Sequence, residues 1–169
     1  LCCQSCRTKS TEGGVAGVEY VVMIGLDGLA GNLVEVADMP TLKQMMAEGA
    51  WTLQARSILP SSSACNWASM YMGVGPEMHG YNTWGSRTPD FPSIAEGRNG
   101  IFPTISTILD EQSPDKQTWP MFEWEVHAYL IDSVAVDYHR HIPMGENKGA
   151  DMTNAFTEYL QQHKPQFSM

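Results

Sequence analysis

Basic charge, cysteine and long apolar sequence are all scarce in this chain of 169 residues. Its 10 Lys and Arg stand against 19 Asp and Glu, a net charge of −9, and no basic run relieves it. That balance argues against a nucleic-acid polymer as partner. A small anion can still bind where a metal or a helix N-terminus supplies a positive field. No apolar stretch reaches the roughly 18 residues that suggest a membrane-spanning helix. Three of the four cysteines, Cys2, Cys3 and Cys6, fall within the first six residues. Cys3-x-x-Cys6 has no second pair to complete four zinc ligands. Internal repeats, low-complexity segments and a Gly-x-Ser-x-Gly nucleophile elbow are missing as well.

The length points to one domain with a real core, here residues 19–169, preceded by a tail over 1–18. The tail begins "LCCQSCRTKSTEGG" without an initiator Met and runs into a polar, Gly-containing tether. It reads as the end of a bacterial lipoprotein signal, with Ser5 before Cys6 as the lipidated residue, or as a plain tail. The first reading expects a cell-envelope location, periplasmic or lipid-anchored, or secretion. Cys6 would then be the one attachment to a membrane.

From Glu19 onward, strand and helix signals alternate. Tyr20–Leu26 lacks polar alternation, as in a strand covered on both faces. "ADMPTLKQMMAEGA" reads as a helix capped by Asp38, with Pro40 in its first turn, Gly49 after its end, and Leu42, Met45 and Met46 as its apolar stripe. Trp51–Ile58 is expected to be extended. A helix is predicted from about Ala64 to Met72, stopped by Gly73. Residues 74–100 read as a long loop, of the kind that is usually functional or mobile. A short helix entered at Pro103 puts Ile105, Ile108 and Leu109 on one face. Thr118–Phe122, weakened by Pro120, and Ser133–Tyr138 are strand candidates. The last helix is capped by Asp151, with Met152, Ala155, Phe156, Tyr159 and Leu160 on one stripe, and ends before Pro165. "QFSM" then starts another strand. Alternation of this kind predicts an α/β fold, three αβα layers around a mostly parallel sheet. Such sheets bind ligands beyond the carboxyl ends of their strands, where Asp27 would lie.

"LPSSSACNWASMYMG" carries the second candidate group. Serines before a helix usually cap it. One of them is also placed to act as a nucleophile, since a helix N-terminus favours an ionised hydroxyl or a phosphate. A serine hydroxyl needs a base or a metal for that role, and no His stands in a recognisable relation to Ser63.

Taken together, a strand ending "GLDG", the helix "MPTLKQMMAEGA" and "LPSSSACNWASMYMGVGPEMHGYN" resemble the opening of a type I phosphodiesterase/nucleotide pyrophosphatase of the alkaline phosphatase superfamily. "FPTISTILDEQ" and the final helix with "KPQFS" extend the resemblance from about Glu19 to the C-terminus. The resemblance implies an alkaline-phosphatase-like fold and two divalent metal ions, usually zinc. It implies that Asp27 and Ser63 are ligands of the first metal, that Ser63 is the nucleophile, and that Asn66 contacts the phosphoryl oxygens. The substrate class it implies is a small phosphate diester or nucleotide pyrophosphate. Two departures are compatible with that chemistry: Ser63 stands where Thr is frequent, and Cys65 where Pro is common. The family's remaining ligands, an Asp with a nearby His, an Asp-His pair and a last His, are expected beyond Met169. The chain therefore reads as an N-terminal portion with part of a site, inactive alone.

Local stand-ins for those ligands are weak. His139 and His141 are at strand spacing but read as a solvated strand end. His79 reads as a turn residue, and His127 and His163 lack acidic or His partners four residues on. Glu123 and Glu125 read as surface. Tyr81, Trp84, Trp119 and Trp124 suit packing or loop anchoring better than a substrate pocket. A sulfatase is disfavoured, because "SACNWAS" lacks that family's Pro and Arg. Phosphomutase or phosphonate hydrolase chemistry, and a non-catalytic small-ligand binding domain, are the alternatives.

Overall fold

The computed structural model describes residues 17–147 and 149–169, so the readings on Cys2, Cys3 and Cys6 lie outside the described residues. The described residues form two compact units, one of 17–18 and Leu26–Ser57, the other of Glu19–Gly25 and 58–169. Among the described residues no helix is long and apolar enough to cross a membrane.

The first unit holds helices α1 (Gly31–Val34) and α2 (Pro40–Glu48). Pro40 has no N–H and a fixed φ, so it opens the helix, and the cap position falls on Met39 rather than on Asp38. Leu42 and Met46 are half-buried and help line an apolar cleft with Val34, Trp51 and Leu53. Met45, predicted to share their stripe, is exposed. Residues 51–58 join no strand ladder. Asp27 sits in a turn with Gly28, whose φ of +72° favours glycine.

The second unit carries the sheets. β1 (Val21–Val22), β5 (Phe167–Ser168) and β2 (Thr118–Trp119) form a parallel sheet in the order β1-β5-β2. The last strand therefore lies in the middle, with Phe167 in register with both Val21 and Thr118. β3 (Met121–Phe122) pairs in parallel with β4 (Arg140–His141) in a second, two-stranded sheet. Pro120 divides the predicted strand 118–122 between the two sheets. Its neighbour Met121 donates to the Met169 carbonyl at 2.7 Å, while Arg140 donates to the Pro120 carbonyl at 3.2 Å.

Two strand expectations are corrected. The first strand covers only Val21–Val22, and both residues are more than two-fifths exposed, because they occupy the edge of the sheet. Ser133–Tyr138 is not a strand. Asp132 gathers it into a turn by accepting from Val134 N–H at 3.1 Å, and Asp137 accepts from Thr118 N–H at 2.8 Å, so side chains take the place of a ladder.

Helices α3 (Ser63–Met72), α4 (Pro76–His79), α5 (Ile105–Gln112) and α6 (Ala150–His163) complete the unit, with a 3-10 turn at Glu125–Tyr129. α3 is the central element of the core. Its fully buried Ala64 and Ala68 allow close approach, and Tyr71 and Met72 pack with Tyr81, Phe122, Val126, Leu130, Ile131 and Phe167. Gly73 ends it in the left-handed region, φ +69°, as predicted.

α5 buries only part of the expected face. Leu109 is half-buried against the core, but Ile105 and Ile108 are exposed, and Ser106 and Thr107 are inside instead. Thr104 and Thr107 form a capping box, and the Thr107 hydroxyl donates at 2.8 Å to the buried Asp132 carboxylate. A buried carboxylate needs such donors, which draws the polar face inward. In α6 the predicted stripe is the half-buried one, from Met152 to Leu160. Its cap is Gly149, at φ +89°, rather than Asp151, which lies in the first turn and accepts from Asn147 at 2.8 Å.

Candidate active site

Ser63 is the first residue of α3 and is half-buried. The residue before it, Ser62, is extended (φ −122°, ψ 152°) and makes no side-chain cap. The segment leading in, from Ile58 through the cis Leu59–Pro60 peptide to Ser62, belongs to no strand. Asn66, one turn into the helix, holds it. Its Nδ2 donates to the Ser62 carbonyl at 2.9 Å and to the Pro60 carbonyl at 3.3 Å, and its Oδ1 accepts from Ile58 N–H at 3.0 Å.

A second element closes over the helix end. The Trp84 carbonyl accepts from Ala64 N–H at 3.3 Å, and the Ser62 hydroxyl reaches the Asn82 carbonyl at 3.5 Å. This loop is shaped by Asp90. Its Oδ2 accepts from Asn82 N–H at 2.6 Å, Thr83 N–H at 3.0 Å and the Ser86 hydroxyl at 2.6 Å, and its Oδ1 from the Thr83 hydroxyl at 2.8 Å. Desolvation opposes the charge on Asp90. The Ser86, Asn82 and Thr83 donors outweigh it and bring its pKa down to about 2. Sequence reading passed over Asp90. The signal was the run of Asn, Thr and Ser ahead of an Asp, a composition that supplies local turn bonds.

His79 and Ser69 lie 2.8 Å apart, Nε2 to Oγ, which resembles a base and its nucleophile. The tautomer excludes that role. Nδ1 accepts from Tyr81 N–H at 3.0 Å, so in the neutral ring Nε2 carries the proton and donates to Ser69. Burial lowers the His79 pKa, with Glu77 opposing, which favours that neutral ring. His79 is thus the packed turn residue the sequence suggested, fully buried beside Gly80.

His127 is buried, with Nδ1 at 2.8 Å from the Tyr71 hydroxyl. His139 and His141 are exposed and flank the Phe122 ring at 6.4 and 5.9 Å between centroids. His163 packs on Trp119 and Tyr159. Tyr81 and Trp119 are core residues, and burial, with Asp90 adding, pushes the Tyr81 hydroxyl up to about 12. Trp84 and Trp124 pair at 5.4 Å, with Trp84 two-thirds exposed. The Cys65 thiol is buried, which raises its pKa.

Asp27 belongs to the first unit, whereas Ser63 and Asn66 belong to the second. The structure brings Asn66 to the segment that delivers Ser63. Among the described residues, no group of three or more His, Cys, Asp or Glu gathers as a metal centre. The Asp27 carboxylate and the Ser63 hydroxyl are each an oxygen donor of a kind that a divalent ion takes.

Parallel strands with interleaved helices define an α/β protein. The chain belongs to the type I phosphodiesterase/nucleotide pyrophosphatase family, whose pattern it matches over residues 21–169. Its mixture of helices and parallel sheets is consistent with the alkaline-phosphatase-like fold. No curated protein and no solved structure matches the chain significantly.

Proposed function

We propose that the protein is a metal-dependent hydrolase of phosphate diesters or nucleotide pyrophosphates that works through a covalent serine intermediate. Ser63 Oγ attacks phosphorus in line. An Oγ–P bond forms, the bond from phosphorus to the leaving oxygen breaks, and the serine proton is lost to solvent. Water then attacks the same phosphorus, cleaves the Oγ–P bond and returns Ser63. Asp27 and Ser63 are the ligands this chain offers to the first of two divalent ions, zinc by the family's habit. Bound there, such ions lower the pKa of the serine and stabilise the attacking and leaving oxygens. The observation that carries this reading is Ser63 as the first residue of α3, in a chain of this family.

The proposal includes that residues 1–169 carry only part of the site and are inactive alone. The incomplete donor set among the described residues supports this. A cell-envelope location with Cys6 as lipid anchor belongs to the same reading. Radiolabelled palmitate on the wild-type protein and none on Cys6→Ser is the expected outcome.

The central test is Ser63→Ala in the full-length protein. Turnover of a chromogenic phosphodiester is expected to vanish while metal content is largely kept, because other ligands still hold the ions. Near-wild-type hydrolysis by the variant would refute the covalent mechanism.

A further inference from the structure

Asn66 is expected from the family resemblance to touch the phosphoryl oxygens. Its hydrogen bonds are already committed elsewhere. Both amide hydrogens go to main-chain carbonyls, those of Pro60 and Ser62, and its oxygen takes the Ile58 N–H. The orientation of the amide follows from these partners. Two carbonyls can be met only by the NH2 group, and an N–H only by the oxygen. The three partners are the residues five, three and one positions before Ser63, in a segment that no strand ladder supports. Asn66 itself is fixed, one turn into α3, by its own N–H on the Ser62 carbonyl at 3.0 Å. The Asn66 side chain thus joins the segment to the helix on one flank, and the Asp90-shaped loop meets the helix end on the other.

We infer that Asn66 is a positioning residue, which fixes the Ile58–Ser62 segment and through it the attacking oxygen of Ser63, rather than a donor to the substrate. The inference rests on the reading of Ser63 as nucleophile. A nucleophile displaced by about 1 Å loses on the order of a hundredfold in rate. Removing the amide should therefore lower kcat by about ten- to a hundredfold and leave KM close to wild type. A direct donor to a phosphoryl oxygen would leave a different mark. Such a donor favours oxygen over sulfur, so its removal slows an oxygen substrate more than the matching phosphorothioate.

The experiment compares wild type, Asn66→Ala and Asn66→Asp in the full-length protein, with a p-nitrophenyl phosphodiester and its phosphorothioate counterpart. Asn66→Asp keeps the acceptor for Ile58 but loses both donors, and serves if the alanine variant folds poorly. The expected result is a fall in kcat by the same factor for both substrates, an unchanged oxygen-to-sulfur rate ratio, and faster hydrogen exchange at the Ile58 amide in Asn66→Ala. A rate ratio that drops about tenfold or more toward unity in the variants would show a direct contact and overturn the inference, as would an unchanged kcat. Full turnover by Ser63→Ala would instead bring down the underlying reading.

Discussion

Asp90 offers the most direct test of how the loop over α3 is held. Asp90→Asn keeps the shape and one carbonyl oxygen. Turned to the Oδ2 position, that oxygen still meets Asn82, Thr83 and Ser86, and the new NH2 can donate to the Thr83 hydroxyl. What is lost is charge. A bond to an ionised acceptor contributes about 1.5–3 kcal/mol and a neutral one about 0.5–1.5 kcal/mol. Asp90 is exposed to solvent, so screening holds the loss near about 1 kcal/mol. One kcal/mol is about a fivefold change in the opening equilibrium. Hydrogen exchange at the Asn82 and Thr83 amides should therefore quicken about fivefold in Asp90→Asn. Asp90→Ala, which leaves four donors to water, should cost about 2–3 kcal/mol, or roughly thirty- to a hundred-and-fifty-fold. The pH dependence has a definite sign. The native pKa, about 2, lies below the ordinary 3.8. The contribution is thus complete above about 3.8 and is lost as pH falls through about 2. An exchange rate unchanged in Asp90→Ala, or a carboxyl titrating at its ordinary value, would refute the reasoning.

Three further outcomes are expected. His79 has a native pKa below its ordinary 6.5, so the unfolded chain binds more protons. Its contribution to stability should be complete above pH 6.5 and decline as pH falls from there toward the native value; denaturant titrations should show this slope, and His79→Gln should flatten it. A methyl group at Gly25 would overlap the Trp67 ring, so Gly25→Ala should destabilise by about 1–3 kcal/mol in the same assay. Purified chain 1–169 should retain little zinc after dialysis and cleave no phosphodiester, whereas stoichiometric zinc with turnover would overturn the partial-site reading.

Much of the helical framework was legible from the sequence. The stretch from Ala64 to Gly73, the half-buried stripe from Met152 to Leu160 and the short helix after Pro103 all follow from interactions within four residues, which a sequence displays directly. The order of "GLDG", the serine cluster and "GPEMHG" was enough to indicate the family, because those motifs are local as well. The acidic balance likewise needed no coordinates.

The tertiary structure decided which partners those local pieces found. It put the last strand, Phe167–Ser168, at the centre of the sheet and left Val21–Val22 at its edge, although their apolar run suggested burial. It turned the polar face of α5 inward, toward Asp132, which is 25 residues away from Thr107. It gave His79 the tautomer that rules out a Ser69 base, spent the Asn66 amide on the main chain before Ser63, and made Asp90 the organiser of the adjoining loop. A residue's type sets what it can donate, accept or bury. Which distant group meets it depends on how the whole chain satisfies its buried polar atoms at once, and that is settled only when the chain packs.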